Sequence, residues 1–396
     1  MNKTRTRFIS RTFFIVLLLS LLAQPLDAQL PYPRVVSKLP LGMKGPVKNI
    51  IFLIGDGMGN TAISASRIKA VGAYGMLQMD RMPIAGFVRT GSADRLIPDS
   101  AAASTAMATG YRVPNGVISQ TPGGHKLITI LEACQAQGKS TGLIATSAIT
   151  HATPAGFAGH VPARETEARI AEQLLERRVD VLLGGGLAYF IPQSKAESRR
   201  QDERNLLYEA RDDGYAVFHK KEDMLSVDRN RMLGLFAPEG MVTKPPEPSL
   251  AEMTAKAISV LRKNGKGFFL LVEGSQIDWA IHEKNFDKTV KQILDFDQAV
   301  GVALAFAEGS KETLVVVTAD PETGTLALTG GTMDGTHLAY SWHSTRHTPA
   351  TVPLYAFGPG AEKFSGFQDN TDIPIAMARL LKVKDFPKVV KEVKAR

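Results

Sequence analysis

The chain has 396 residues, 44% of them hydrophobic and 22% charged, and a formal net charge of +8. Cys134 is the only cysteine, which excludes an internal disulfide. No repeat or low-complexity segment stands out, and the mild basic excess is too interleaved with acids to mark a nucleic-acid partner.

Lys3, Arg5, Arg7 and Arg11 precede an apolar run, Phe13 to Ala23, that is too short to span a bilayer comfortably. Leu26-Asp27-Ala28 then offers a small residue for cleavage before Gln29. Residues 1–28 therefore read as a secretory signal peptide, and 29–396 as one large α/β domain. An uncleaved anchor is the other reading of the run, whereas a lipid anchor would need a Cys after it. Cleavage predicts an exported protein, periplasmic or secreted, with no stable membrane insertion.

Asn49 to Ile54 is a continuous apolar run, as a strand covered on both faces requires, and it ends at Gly55-Asp56-Gly57-Met58-Gly59. Similar runs lie at Thr141 to Ala145, Val181 to Leu183, Phe268 to Val272, Leu314 to Val317 and Val352 to Phe357. Helical patterns separate them at Arg164 to Arg178, at Asp287 to Phe306, and after Ser249, where Glu252 completes a capping box. The alternation predicts an α/β fold, a mostly parallel central sheet with helices on both faces. Ligands gather at the carboxyl ends of such strands. Asp56, Glu273 and Asp320 each fall just past an apolar run, so the three carboxylates should converge. Crowding them without a cation is costly, because like charges and burial raise one another's pKa, so convergence implies bound metal.

Asp99 and Ser100 stand at the N-cap of the Ala-rich stretch Ala101 to Thr109, with Gly110 at its C-terminal end. Ser100 at a helix N-terminus brings a hydroxyl and an anion site together. His151 to Arg164 lacks a clean period and reads as a loop leading into a helix. Within it Thr153 can offer a hydroxyl to a hard ion, and Arg164 either grips two phosphate oxygens or makes a helix-start salt bridge. Asp278 and His282, four apart, share one helix face and either chelate one ion or form a surface ion pair. Glu273 suits Mg²⁺ better than Zn²⁺, and His347 is a candidate third ligand. The basic stretch Lys382 to Arg396, with Asp385 and Glu392 interleaved, reads as a solvated helical tail.

Together these motifs resemble the alkaline phosphatase family over nearly the whole mature chain. The resemblance rests on Asp56-Gly57-Met58-Gly59, Asp99-Ser100 with its helix, Ala152-Thr153-Pro154 followed by Arg164, the Glu273, Asp278 and His282 spacing, Thr318-Ala319-Asp320, and His347-Thr348. It implies a single alkaline phosphatase-like domain in which Ser100 is the phosphorylated nucleophile and Arg164 binds the substrate phosphate. It also implies one zinc at Asp278, His282 and His347, a second at Asp56 and Asp320, and magnesium at Asp56, Thr153 and Glu273 with His151 nearby. Two cations about 4 Å apart can clamp the attacking and leaving oxygens of an in-line displacement. The expected reaction is hydrolysis of phosphate monoesters with broad tolerance for the leaving group, and the expected assembly is a homodimer.

The chain departs from the family at Pro321, where a histidine would complete the second zinc site. His337 or His343 could swing in, an oxygen donor could fill the place and favour another ion, or activity could fall. A related phosphodiesterase or sulfatase, and a degenerate homologue that binds metal or phosphate without turnover, are the alternative functions.

Overall fold

The computed structural model describes residues 37–390. The expected signal peptide lies outside the described residues, as does the end of the basic tail. All six apolar runs form strands of one ten-stranded sheet.

In chain order the strands are β1 (Asn49–Gly55), β2 (Ile84–Arg89), β3 (Lys126–Leu127), β4 (Ser140–Ala148), β5 (Val181–Gly185), β6 (Ala216–Phe218), β7 (Met232–Leu235), β8 (Phe268–Gly274) and β9 (Thr313–Thr318). They continue with β10 (Glu322–Thr323), β11 (Leu326–Gly331), β12 (Leu338–Trp342), β13 (His347–Thr348), β14 (Val352–Phe357), β15 (Gly366–Asp369) and β16 (Val389–Val390). The main sheet runs β15-β2-β14-β9-β1-β8-β4-β5-β7-β6, and only β14 opposes the rest. β1, β8 and β9 sit at its centre and are buried along their whole length. That is why they read as unbroken apolar runs.

Register places the carboxylates. Ile54 of β1 lies opposite Glu273 of β8 and Thr318 of β9, so Asp56, Glu273 and Asp320 leave three adjacent strands at one edge. The Asp56 amide donates to the Gly274 carbonyl at 3.3 Å, which ties the ends of β1 and β8 together.

The Ala-rich stretch is a helix, Ser100–Thr109, with every residue buried. Asp99 is its N-cap, its side chain accepting from the Ala102 amide, and Gly110 ends it at φ 77°. The small residues serve close packing, since a second helix, Ala152–Ala158, lies against it with the Ser104 hydroxyl donating to the Ala152 carbonyl at 3.0 Å. A Cβ on Gly156 would meet Ser104 Oγ at 2.4 Å. This second helix corrects the sequence reading, which made His151 to Arg164 a loop up to a later helix. Ala152–Ala158 is buried on every side and so shows no amphipathic period.

The helical pattern from Arg164 is realised as Glu167–Glu176, that from Asp287 as Phe286–Ser310, and the capping box opens Leu250–Leu261 as expected. The helical tail is a second correction. Val389 and Val390 pair instead with Leu127 and Lys126 of β3, so the described part of the tail ends as a strand.

Candidate active site

Among the described residues, two sets of side chains each gather their ligating atoms within 4.8 Å of one another: Asp278, His282 and His347, and Asp56, His151 and Glu273. The first set stands at the end of β8. Gly274 closes the strand, and the helix Gln276–His282 puts Asp278 and His282 on one face, with His282 Nε2 3.1 Å from Asp278 Oδ2. His347 arrives on β13, which pairs with β10 through Thr323 opposite His347, and brings its Nε2 to 3.5 Å from Asp278 Oδ1.

Each Nδ1 of these imidazoles faces a carbonyl oxygen, that of Thr345 at 2.5 Å for His282 and that of Pro98 at 3.0 Å for His347. Carbonyls only accept, so Nδ1 carries a proton and Nε2 is turned toward Asp278. Burial would raise the Asp278 carboxyl, but hydrogen bonds from His282 and His347 hold it well below the usual carboxylate range. Burial works to lower His347, and the bond to Asp278 outweighs it, raising the imidazole to about 9. Without a cation this cluster holds itself together with protons.

The second set behaves in the opposite way. Asp56, Glu273, Asp320 and Thr153 are wholly buried. Both Asp56 oxygens, Glu273 Oε1 and His151 Nδ1 have no hydrogen-bond partner. Burial, and then the charges of Asp320, Asp278 and Glu273, push Asp56 far above its ordinary value. Burial and the Asp320 charge raise Glu273 to about 8, and burial raises Asp320 to about 6. Orphaned carboxylate oxygens packed this closely make a candidate cation site by their own electrostatics.

Gly57 lets the two sets meet. Its φ is +69°, and a Cβ there would lie 2.8 Å from Asp278 Oδ1 and 2.7 Å from Thr323 Oγ1. No residue larger than glycine fits between β1 and Asp278.

Ser100 is the first residue of its helix and is almost wholly buried. Its neighbours link it to both sides of the site. The Pro98 carbonyl receives His347, while Asp99 Oδ2 holds the Arg164 guanidinium at 3.2 Å and also accepts the Gly116 amide at 3.0 Å. Arg164 reaches His151 Nε2 at 3.0 Å with its other nitrogen. Burial and the Arg164 charge lower His151 to about 3, which keeps it neutral.

Thus all ten candidate residues gather at one edge of the sheet, as the carboxyl-end rule requires. A hydroxyl at a helix N-terminus, a guanidinium beside it and two clusters of ligands make a site able to hold a phosphoryl dianion and divalent cations together.

A sequence model of the alkaline phosphatase family matches residues 47–341. The chain is 34% identical over 423 residues to alkaline phosphatase 4 of Bacillus subtilis (strain 168), covering 86% of this chain and 90% of that one. Against the alkaline phosphatase of Escherichia coli (strain K12) the identity is 34% over 412 residues, covering 86% and 87%. The alkaline phosphatase of the Antarctic bacterium TAB5 superposes with a TM-score of 0.78 at 32% identity, over 87% of this chain and all of that one. The chain belongs to the alkaline phosphatase family. Its members are phosphoric monoester hydrolases, and the α/β architecture is the family's own.

Within that family frame, three contributors escaped the sequence reading. Thr323 donates to Asp278 Oδ1 at 2.6 Å. Glu322 accepts the Thr325 amide at 3.0 Å and the Thr348 hydroxyl, clasping β10 to β13. Asp99 anchors Arg164 as well as capping the helix. The first two depend on a two-residue ladder that carries no periodicity. The third was half visible, since an N-cap carboxylate always has a second oxygen to offer.

Proposed function

We propose that the chain is an exported phosphomonoesterase that transfers the phosphoryl group of its substrate to Ser100 and then to water. The observation that carries this reading is the position of Ser100, at the mouth of a ten-residue helix with Arg164 anchored on Asp99 beside it and His347 bonded to Pro98 on its other side.

The donor sets decide which cations fit. Asp278, His282 and His347 supply one carboxylate and two imidazoles, a set that suits Zn²⁺. Asp56, Glu273 and Thr153 supply buried oxygens, two of the residues with orphaned atoms, and suit Mg²⁺. A second zinc at Asp56 and Asp320 does not fit, because Pro321 offers no nitrogen. When bound, divalent cations supply Lewis-acid charge that lowers the pKa of a nearby hydroxyl and stabilises a departing alkoxide.

The protein's own groups do the rest. The free amides at the start of Ser100–Thr109 and the helix dipole favour the substrate's anionic oxygens. Arg164 turns its planar fork on two non-bridging oxygens, a geometry suited to a monoester dianion. Ser100 Oγ gives up its proton to solvent and attacks phosphorus, the ester P–O bond breaks, and the leaving oxygen takes a proton from solvent. Water then attacks the phosphoserine, releasing inorganic phosphate and restoring the hydroxyl.

Rapid acid quench after mixing with ³²P-labelled monoester tests this. The label is expected on Ser100, and Ser100→Ala is expected to lose labelling and at least ~10³-fold in kcat with its metal content intact. Turnover that survives Ser100→Ala, or label on another residue, overturns the reading. Export is checked separately by sequencing the mature N-terminus, expected at Gln29.

A further inference from the structure

Asp56 is the wholly buried carboxylate between two candidate cation positions, one toward Glu273 and His151 and the other toward Asp320. Neither of its oxygens meets a hydrogen-bond donor, and what faces it is a second carboxyl, that of Asp320, which marks the place as one built for a ligand. On the other side Asp320, also wholly buried, receives the Gly57 amide at 3.3 Å and the Thr153 hydroxyl at 3.5 Å and faces the Asp56 carboxyl.

Imidazoles cannot join them. The chain has eight histidines. His282 and His347 are engaged with Asp278, each with its other nitrogen on a carbonyl. His160 lies between the Ser119 carbonyl and Glu132, and His219 sits on the Leu235 carbonyl. His125 belongs to the turn that starts at Thr121. His337 and His343, the two named as replacements, are exposed on and just after the β11–β12 hairpin, where His343 meets the Ser341 hydroxyl at 3.2 Å.

His151 alone approaches Asp56, and its chemistry removes it as a ligand. Arg164 can only donate, so His151 Nε2 accepts from it and the ring's single proton sits on Nδ1. Nδ1 is the nitrogen left without a partner. It therefore presents an N–H, not a lone pair, for as long as Arg164 stays on the ring.

After Asp320 the chain continues with Pro321, buried and without a donor, and then with Glu322 and Thr323, both held by other partners. The donors around Asp56 and Asp320 are therefore all oxygens, which favour small hard cations over zinc. We infer that the Asp56–Asp320 position in this chain takes Mg²⁺ or Mn²⁺ in place of a second zinc, leaving Asp278, His282 and His347 as the one zinc site. This rests on the phosphomonoesterase reading of the site, which it refines.

The test is elemental analysis of the full chain, stripped of metal and then dialysed against Zn²⁺ and Mn²⁺ together. With Mn²⁺ in large excess over Zn²⁺, to offset zinc's higher intrinsic affinity, about one zinc per chain is expected to persist, the other sites holding Mn²⁺ with its paramagnetic resonance spectrum. Pro321→His is expected to raise zinc to about two per chain at the expense of one Mn²⁺. Should that variant fail to fold, His347→Ala and Asp320→Asn serve instead. The first is expected to lose the zinc and keep Mn²⁺, and the second to lose one Mn²⁺ and keep the zinc. Two zincs in the parent protein, or zinc lost on Asp320→Asn, overturns the inference while leaving the phosphatase reading untouched. The expected stoichiometry without p-nitrophenyl phosphate hydrolysis under any metal would overturn that reading instead.

Discussion

Asp278 has three side chains directed at it, His282, His347 and Thr323, and of these Thr323 is the one that cannot ligate through a ring nitrogen. A hydroxyl bonded to a metal-ligand carboxylate fixes the orientation that the ion meets. Thr323→Val is therefore expected to weaken zinc binding about 10–100-fold, read by competition with a chromophoric chelator, and Thr323→Ser to restore it. Unchanged affinity in the valine variant would show that the β10–β13 ladder alone fixes Asp278. Cys134 gives a second residue-level expectation. It is wholly buried, and burial raises its thiol to about 12, so the native protein holds almost no thiolate at pH 8. A disulfide reagent at that pH is expected to react only as the protein unfolds, and fast modification of the folded chain would contradict this. The convergence of the candidate ligands was legible in the sequence because Asp56, Glu273 and Asp320 each follow an apolar run. Thr323 was not, because its partner is chosen by the fold.

At the level of elements, the helix Ser100–Thr109 carries both the nucleophile candidate and, through Asp99, the anchor of Arg164. Two substitutions separate its needs. Asp99→Ala removes the bond to the Ala102 amide together with those to Gly116 and Arg164, whereas Asp99→Asn keeps the capping oxygen and loses only the other two, so Asp99→Ala is expected to cost about 1 kcal/mol more. Urea midpoints at constant slope measure the difference, and equal losses in both variants would mean that the Arg164 pair, not the cap, supplies the stability. Gly156→Ala probes the contact between the two small-residue helices. Its Cβ would sit 2.8 Å from Ser104 Cβ, so an overpacking cost of about 1–3 kcal/mol is expected, with a fall in kcat as the Ser100 helix shifts. The sequence disclosed this helix and the central strands because caps and unbroken apolar runs are local signals. It hid Ala152–Ala158, which is buried all round, and the outer strands β2 and β15, whose burial alternates or is slight. Their assignment comes from pairing partners far away in the chain, Gly366 opposite Gly86 and Val352 opposite Val88.

For the whole molecule, the two candidate ligand clusters are expected to make stability depend on pH and metal together. Asp320 and Glu273 are raised to about 6 and about 8 in the fold, against about 4 for unfolded carboxyls. Groups raised on folding give stability that is complete below the unfolded value and lost as pH climbs through the folded one. Asp56, raised with them, acts in the same direction. His347, raised to about 9, adds a contribution present below about pH 6.5 and lost toward pH 9. His151, lowered to about 3, opposes them up to about pH 6.5, so the metal-free protein should weaken only gradually from about pH 4 and more steeply from about pH 6.5 to pH 9. Bound cations replace those protons, so the metal-loaded protein escapes the loss. The gap in Tm between loaded and chelator-stripped protein is expected to widen between pH 5 and pH 8, each kcal/mol moving Tm by about 1–2 °C in a chain of this length. General alkaline weakening would lower both forms, and Asp320→Asn tells the two causes apart. That variant removes one of the crowded charges, so its stripped form should match the parent at pH 5 and melt higher than the parent at pH 8. If the stripped variant melts lower at both pH values, Asp320 stabilises the empty fold through its bond to the Gly57 amide, and the carboxylate cluster is not what makes the protein depend on its metals.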